Sequence, residues 1–367
     1  MKPNRQSGLG SGAVELLGGG PRRLVERAAA RRVLRRRRPP ELRTSGAARG
    51  STVYYLCPDH PHPSGGIRAL YKHVDILNAA GIDAAVLHHE DGFSCSWFEH
   101  STRVVGASSV VLSDRDTLVV PEVYGPFLDR LPRLPHLVLF NQNAYLTWEH
   151  LRTTTPRYDI FERAMTVSAD SAEILAFAFP GLDVGVVPNA IDPAVFHPAR
   201  GPVGRRIATM PRKRPDDLVL IERLLGERLR GWELVKIEGA SEREAAARMR
   251  AAPIFLSLAR REGFGLPAAE AMASGAYVVG FHGFGGREIF DPDCSEAVED
   301  GDVLAAARAL AAAMDRFEAA PAGLRAAGER AAARVRERYG PARRQAELLA
   351  FHGAGEPAGA RIASGRR

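Results

Sequence analysis

The sequence contains few cysteines, and their number and spacing exclude two kinds of framework. Cys57, Cys95 and Cys294 lie far apart, and no Cys-x-x-Cys pair occurs in the chain. An odd number of widely spaced cysteines fits a reducing compartment, where disulfides do not persist. Neither a disulfide scaffold nor a zinc cluster is therefore expected.

Long apolar runs are also missing. No stretch approaches the ~20 residues that a membrane-spanning helix needs. Arginines interrupt every apolar stretch near the N-terminus, where a secretory signal would carry an uninterrupted apolar core. These absences predict a cytoplasmic protein, with peripheral contact at the inner membrane face as an open alternative.

The positive charge of the chain lies almost entirely at its N-terminal end. Of 50 Lys/Arg and 43 Asp/Glu in 367 residues, residues 1–50 hold 13 and 3, which leaves 37 basic and 40 acidic groups elsewhere. Because the body is nearly neutral, no extended nucleic-acid surface and no specific nucleic-acid partner are expected. Two interpretations of residues 1–50 stay open: a disordered leader, or an arginine patch for anionic lipid headgroups or nucleic acid.

Strand-like and helix-like patterns alternate after the leader, which is typical of α/β proteins with parallel sheets. A first series starts with a strand at 51–56 and a helix at 67–80, and a second series follows a proline-bounded loop. Two such series predict two Rossmann-like domains that face each other across a ligand-binding cleft. The predicted segments are a leader (1–50), an N-terminal domain (51–198), a C-terminal domain (199–340), a C-terminal helix (341–352) and a disordered tail (353–367).

The strongest motif is the run E-G-F-G-L-P-A-A-E, which begins at Glu262 and ends at Glu270. Pro267 is expected to open a helix, where its missing N–H costs nothing. Gly263 and Gly265 let the backbone approach a ligand, and the free N–H groups at the helix start suit a phosphate. With Glu262 on the loop and Glu270 in the first helical turn, two carboxylates would surround one anion site. From the spacing alone, a strand–loop–helix turn with ordinary capping glutamates is an equal alternative.

This run resembles the signature of retaining glycosyltransferases with the GT-B fold, a large family that includes bacterial mannosyl-, glucosyl- and rhamnosyltransferases of cell-envelope synthesis. Four weaker pieces agree in order with that family: S-G-G at 64–66, V-V-P-N-A-I-D-P-A-V-F-H-P at 186–198, M-P-R-K-R at 210–214 and G-F-G-G-R-E at 283–288. The resemblance spans roughly residues 51–350. It implies transfer of a sugar from a nucleoside-diphosphate donor to an acceptor hydroxyl, with retention of configuration and without an enzyme nucleophile.

The resemblance also implies a donor site in the C-terminal domain. Glu270 would bind the nucleotide ribose. The other implied contacts to donor sugar and phosphate are Glu262, Gly263, Phe264, Gly265 and Leu266. In the family, an Arg and a Lys a few residues apart neutralise the diphosphate, whose charge grows as the glycosidic bond breaks. Here Arg212 and Lys213 are adjacent and Arg214 follows, so which two of the three contact phosphate stays open.

In this family the N-terminal domain holds the acceptor, which would be a carbohydrate, a lipid-linked molecule or another hydroxyl compound. The predicted contacts in the cleft are Ser64, Gly65, Gly66, Asn143 and Tyr145. Other polar or aromatic residues have two interpretations each. His60 and His62 are acceptor contacts or plain loop histidines, Asn141 and Gln142 are hydroxyl readers or turn-forming amides, and Trp97 and Phe98 line the acceptor side or pack in the core.

No cofactor is expected, because the nucleotide sugar is itself a substrate. No metal is expected either, because cations of the protein would replace it at the diphosphate and the sequence contains no recognisable metal-ligand cluster. Asp-x-Asp pairs occur at 114–116, 291–293 and 300–302, and we interpret them as turns and a helix cap instead of metal ligands. Two other functions stay open. One is a nucleotide-sugar epimerase or a phosphorylase of the same fold, and the other is a non-catalytic protein that binds sugar nucleotides or nucleic acid.

Overall fold

A computed structural model describes residues 38–46, 50–149 and 156–354. They form two α/β domains in the predicted order along the chain, each built on a parallel sheet. In the described part of the chain, every helix is too short or too polar to cross a membrane.

The N-terminal domain contains a sheet of seven parallel strands. The order β4-β3-β2-β6-β7-β8-β9 reverses its direction of winding between β2 and β6, where the loops after the strands form a crevice. Strands β1 and β5 form a separate two-stranded sheet. The strands of the domain are β1 (Arg43–Thr44), β2 (Val53–Leu56), β3 (Ala84–His88), β4 (Val104–Gly106), β5 (Val111–Leu112), β6 (Thr117–Pro121), β7 (His136–Asn141), β8 (Arg163–Thr166) and β9 (Asp183–Val186). The α-helices are α1 (Gly65–Ala79) and α2 (Ala169–Ala178).

The C-terminal domain contains five parallel strands in the order β11-β10-β12-β13-β14, with its own reversal between β10 and β12. The strands are β10 (Arg206–Thr209), β11 (Glu233–Lys236), β12 (Ile254–Leu258), β13 (Tyr277–Phe281) and β14 (Ser295–Val298). The helices are α3 (Pro215–Leu225), α4 (Glu242–Arg250), α5 (Leu266–Ala273), α6 (Val303–Ala319), α7 (Pro321–Tyr339) and α8 (Pro341–Phe351).

Helix α1 illustrates how local sequence sets the position of a site element. Leu70, Val74 and Leu77 are buried on one face, as their spacing predicts. The helix begins two residues earlier than expected, at Gly65, because the Ser64 hydroxyl accepts a hydrogen bond from the N–H of Ile67 at 3.5 Å and caps it. The cap places the Ser-Gly-Gly segment at the positive end of the helix dipole.

Part of the segment predicted as a disordered leader is folded in the structure. Residues Arg43–Thr44 pair in parallel with Val111–Leu112, Pro39 is buried, and Leu42 packs against the core of the N-terminal domain. The rest of the predicted leader, residues 1–37 and 47–49, lies outside the described residues. So do residues 355–367 of the predicted tail.

Two C-terminal helices complete the structure, and the sequence pattern indicated only one of them. Helix α7 has 19 residues, and small side chains such as Ala327 and Ala331 form its buried face. Helix α8 then returns the chain to the N-terminal domain. There the guanidinium carbon of Arg163 lies 4.0 Å from the centre of the Phe351 ring.

Candidate active site

The basic turn after β10 and the glutamate motif after β12 meet at the carboxyl edge of the C-terminal sheet. Lys213 Nζ lies 2.7 Å from Glu262 Oε1 and 3.4 Å from the carbonyl oxygen of Arg260. The neighbouring strands β10 and β12 flank the point where the strand order reverses, which is where such sheets bind ligands. Lys213 and Glu262, far apart in sequence, therefore form one charged pair at the predicted donor position.

Arg214 has a structural role, because two carboxylates compensate its positive charge. Its guanidinium bonds Asp217 at 2.8 Å and Asp300 at 2.5 Å, and it stacks on Phe281 at 4.8 Å from the ring centre. Two carboxylates thus neutralise it. Of the three consecutive basic residues, Arg212 and Lys213 are left as candidate phosphate cations.

Arg212 and Lys213 line a pocket at the N-terminus of α5. Glu262 and Gly265 form its other side, and its volume is about 70 Å³. Arg212 is exposed, and no described carboxylate lies within ion-pair distance of it. The pocket thus combines a free cation, a paired cation and the N–H groups of a helix start, an arrangement that suits a phosphate.

Glu270 lies farther along α5 than expected. The helix begins at Leu266, so Glu270 is its fifth residue and lies beyond the first turn. Burial raises the pKa of Glu270 to about 8; the positive charge of Arg68 opposes that increase and the negative charge of Glu242 adds to it. No described residue donates a hydrogen bond to its carboxylate, which is therefore available to a ligand.

The glycines of the motif permit close packing between loops and between domains. A Cβ on Gly263 would lie 1.9 Å from the carbonyl oxygen of Gln142 in the N-terminal domain. Gly265 has φ +91°, and a Cβ there would lie 3.0 Å from the Cα of Gly286. Both glycines therefore let protein backbone pack closely on the motif, and their contact with a donor stays a prediction.

The G-F-G-G-R-E segment packs directly on the glutamate motif. Gly285 donates its N–H to the carbonyl oxygen of Glu262 at 3.2 Å. Two non-glycine residues in these loops, Arg261 and Phe284, have positive φ angles of 46° and 67°. Such strained conformations cluster at functional sites, where the surrounding structure holds them in place.

The N-terminal domain presents its own helix start to this region. A Cβ on Gly65 would lie 3.2 Å from Leu266 Cδ1, so α1 and α5 begin opposite each other across the cleft. Gln142 Nε2 donates to the carbonyl oxygen of Gly66 at 3.2 Å and fixes the Ser64–Gly66 loop. The N-terminal, positive ends of the α1 and α5 dipoles therefore lie close together in the cleft.

Asn143 and Tyr145 lie at the seam between the domains. Asn143 Nδ2 donates to the carbonyl oxygen of Arg261 at 2.9 Å. The Tyr145 ring lies 5.4 Å from that of Phe284, and its hydroxyl donates to Asp170 at 2.7 Å. The structure therefore brings both predicted acceptor residues against the donor loops. Asn141, in contrast, is buried and bonds Thr147, a structural role.

A larger cavity of about 430 Å³ opens beside the start of α1 in the N-terminal domain. Its polar lining includes His60, Ser64, Gly66, Glu122 and Gln142. Sequence reasoning missed Glu122, although a carboxylate directly after the apolar strand β6 is a signal that could have found it. Its side chain is buried and accepts the N–H of Gln142 at 3.2 Å.

Asp59 anchors the loop that carries His60. Burial alone would raise the pKa of Asp59, but hydrogen bonds from His88 and the backbone N–H groups of Glu90 and His89 outweigh it and lower that pKa. The Trp97 indole donates to the carbonyl oxygen of His60 at 3.4 Å, and Phe98 packs on Trp97. His60 therefore reaches the cavity on a fixed loop, whereas His62 is not part of its lining.

Each Asp-x-Asp pair has at least one carboxylate with a structural partner. These partners are Ser113 for Asp116, Arg334 for Asp291, Arg214 for Asp300 and the N–H of Ala305 for Asp302. Over the residues that the structure describes, no group of three or more His, Cys, Asp or Glu side chains could hold a metal ion.

Comparison with known proteins finds sequence similarity to glycosyltransferases. Residues 214–350 match a family model described as glycosyl transferase-like. The alpha-1,6-glucosyltransferase of Actinobacillus pleuropneumoniae serotype 7 (strain AP76) is 27% identical over an alignment of 278 residues, which covers 72% of this chain and 84% of that protein. The sucrose-phosphate synthase of Thermosynechococcus elongatus superposes with a TM-score of 0.62 at 15% identity, over 83% of this chain and 98% of that chain.

A second solved structure, Anabaena HepE in complex with UDP and glucose, superposes with a TM-score of 0.59 at 15% identity, over 83% of this chain and 99% of that chain. These superpositions confirm the predicted fold class, an α/β protein with two Rossmann-like domains in the GT-B arrangement.

Proposed function

We propose that this chain, a glycosyltransferase with the GT-B fold, transfers a hexosyl or deoxyhexosyl group from a nucleoside-diphosphate donor to an acceptor hydroxyl with retention of configuration. The observation that carries the proposal is the Lys213–Glu262 pair, 2.7 Å apart at the start of α5. It combines a fixed cation and a hydroxyl-binding carboxylate at the strand edge where a donor would lie. Glu270, on the same helix, supplies a second carboxylate.

Lys213 and Arg212 would stabilise the leaving diphosphate. Negative charge grows on that group as the glycosidic bond breaks, so fixed cations stabilise the transition state more than the ground state. The N–H groups at the start of α5 would add to this effect. Glu262 would hold Lys213 in place and accept hydrogen bonds from the donor sugar, and Glu270 would accept those of the ribose.

Retention is supported by the linkage in the name of the relative. That protein is an alpha-1,6-glucosyltransferase, and the usual nucleotide diphosphoglucoses carry the sugar in the α configuration, so an α product retains it. In a front-face displacement the acceptor oxygen bonds to the anomeric carbon, the bond to the phosphate oxygen breaks, and that oxygen takes the acceptor proton. No enzyme nucleophile is required.

The acceptor would enter the 430 Å³ cavity in the N-terminal domain, beside the Ser64–Gly66 loop. A carbohydrate or lipid-linked hydroxyl compound of cell-envelope synthesis fits this role.

The Arg-rich leader would give the protein peripheral contact with anionic membranes, an expectation that binding to phosphatidylserine vesicles tests.

A donor-consumption assay with and without acceptor tests the proposal. We expect nucleoside diphosphate and glycosylated acceptor to form in equal amounts, with NMR showing the anomeric configuration of the donor in the product. An epimerase would change the donor sugar and release no nucleoside diphosphate, and a phosphorylase would require inorganic phosphate. Either result would contradict the proposal.

We expect transfer to proceed without a divalent ion, because Arg212 and Lys213 would neutralise the diphosphate in place of a metal. Activity after treatment with EDTA should equal that of the untreated enzyme. Complete loss in EDTA, restored by Mg²⁺ or Mn²⁺, would return the Asp-x-Asp pairs to consideration as ligands.

A further inference from the structure

The two candidate ligand sites carry charged side chains of opposite sign. The pocket at the start of α5 is lined by the cations Arg212 and Lys213. The described lining of the 430 Å³ cavity in the N-terminal domain contains two carboxylates, Asp59 and Glu122, and neither a lysine nor an arginine. The start of α1 adds about half a positive charge to that cavity, which two carboxylates outweigh. The cavity therefore suits a ligand without negative charge.

Glu122 is the carboxylate of this cavity that is placed to bind a ligand. Asp59 is occupied by its own loop, because its oxygens accept the N–H groups of His89 at 3.1 Å and Glu90 at 2.9 Å. Glu122 follows β6 directly and is only 8% exposed, and its Oε2 accepts the N–H of Gln142 at 3.2 Å. A carboxylate can accept about four hydrogen bonds, so this contact orients Glu122 without using its whole capacity.

The remaining walls of the cavity match the faces of a sugar ring. Its apolar lining residues are Pro58, Ile67, Leu70, Pro121 and Val123. Small-molecule sites typically combine such apolar walls with a few polar groups that fix orientation. A pyranose carries C–H groups on its ring faces and hydroxyls around its edge, so it can pack on these walls while a hydroxyl donates to Glu122. A phosphate in the same place would be buried beside like charges, at a cost in binding free energy.

We propose, resting on the proposed function, that the acceptor is a neutral saccharide and that Glu122 determines this specificity. Glu122 accepts a hydrogen bond from a hydroxyl of the sugar ring that enters the cavity, and the local negative charge rejects rings that carry a phosphate. The diphosphate of the donor and the neutral ring of the acceptor are thus directed to different sites by charge.

Release of nucleoside diphosphate with matched acceptors tests this specificity. The donor is whichever of UDP-glucose, GDP-mannose and ADP-glucose the wild type uses fastest. The acceptors are the methyl α-glycosides of glucose, mannose and galactose, each compared with the 1-phosphate and the 6-phosphate of the same sugar, and product is identified by mass spectrometry. For at least one sugar, we expect kcat/KM of the neutral glycoside to exceed that of both phosphates by about tenfold or more.

Three variants separate specificity from folding. Glu122→Gln should raise KM for the neutral glycoside about tenfold, as loss of a charged hydrogen bond predicts, and should leave hydrolysis of the donor by water unchanged. Val123→Lys places a cation in the same lining and should increase kcat/KM for a sugar phosphate relative to the neutral glycoside. Glu99→Gln, at an exposed glutamate outside the lining, is the control and should behave as the wild type does.

The possible results distinguish this inference from the proposed function. Equal losses of hydrolysis and of transfer to both kinds of acceptor in Glu122→Gln would assign that residue a structural role and overturn the inference. A wild type that uses a sugar phosphate as well as the neutral glycoside, or that uses no neutral glycoside, would also overturn it. A wild type that releases no nucleoside diphosphate from any of the three donors would instead reject the proposed function.

Discussion

Lys213→Ala should lower turnover by about 10²-fold or more at saturating donor. The expected loss follows from the position of Lys213, whose ammonium group is fixed by Glu262 at 2.7 Å beside the start of α5. A preorganised charge at the leaving group acts mainly in the transition state, and removal of one such donor typically costs 10²–10³ in turnover. Affinity for the nucleoside diphosphate product should also fall, whereas affinity for the free nucleoside should hardly change.

Arg212→Ala and Arg214→Ala separate the roles of the three consecutive basic residues. Arg212 lines the same pocket as Lys213, so its removal should lower turnover and product affinity in the same way. Arg214 is bonded to Asp217 and Asp300, so Arg214→Ala should lower the melting temperature while folded enzyme keeps most of its turnover. Wild-type kinetics in Lys213→Ala, or a turnover loss confined to Arg214→Ala, would contradict this assignment.

Glu270→Gln should weaken donor binding and stabilise the fold at the same time. Burial raises the pKa of Glu270 to about 8, so the folded protein holds a proton there that the unfolded chain releases near pH 4.5. The free energy of unfolding therefore falls as pH rises between these two values. A neutral glutamine removes that penalty, and at pH 8 we expect Tm to rise by at least about 2–4 °C, the shift that ~1 kcal/mol produces in a domain of this size.

The two effects are measured separately. Scanning calorimetry at pH 5 and pH 8 should show a gain in Tm for Glu270→Gln that is larger at pH 8. Titration with the nucleoside diphosphate at pH 9, where Glu270 is ionised, should show weaker binding, in line with the 1.5–3 kcal/mol typical of a charged hydrogen bond. Glu262→Gln is the matched variant in the same motif, and it should lower turnover more than affinity. A stability gain without a binding loss would remove Glu270 from the donor site.

Local sequence was sufficient where one short run determines the structure. The turn that ends β12 and the glycine before α5 lie within a single motif, so their place in the fold could be predicted, although Glu270 lies beyond the first helical turn expected for it. The proximity of Lys213 and Glu262 also follows from topology, because their segments leave neighbouring parallel strands at the same edge.

Other features depend on contacts between distant segments and could not be predicted. Arg212, Lys213 and Arg214 look alike in sequence, and the positions of Asp217 and Asp300 in the fold distinguish Arg214. The ion pair between Arg68 and Glu242 arises from domain packing that no local pattern reports. The strand at Arg43–Thr44, within the predicted leader, was missed for the same reason, since it is a strand only through its pairing with β5.

Thermal stabilisation by nucleotide sugars tests the central claim, a nucleoside-diphosphate sugar bound between Lys213 and Glu270, most directly. A donor at 100 times its Kd should stabilise the wild type by about 2.7 kcal/mol, which corresponds to a rise in Tm of roughly 5–10 °C. We expect one nucleotide sugar in a panel to produce this rise, and Lys213→Ala to lose most of it. A panel in which no nucleotide sugar or nucleoside diphosphate changes Tm, or in which Lys213→Ala responds as the wild type does, would contradict the account.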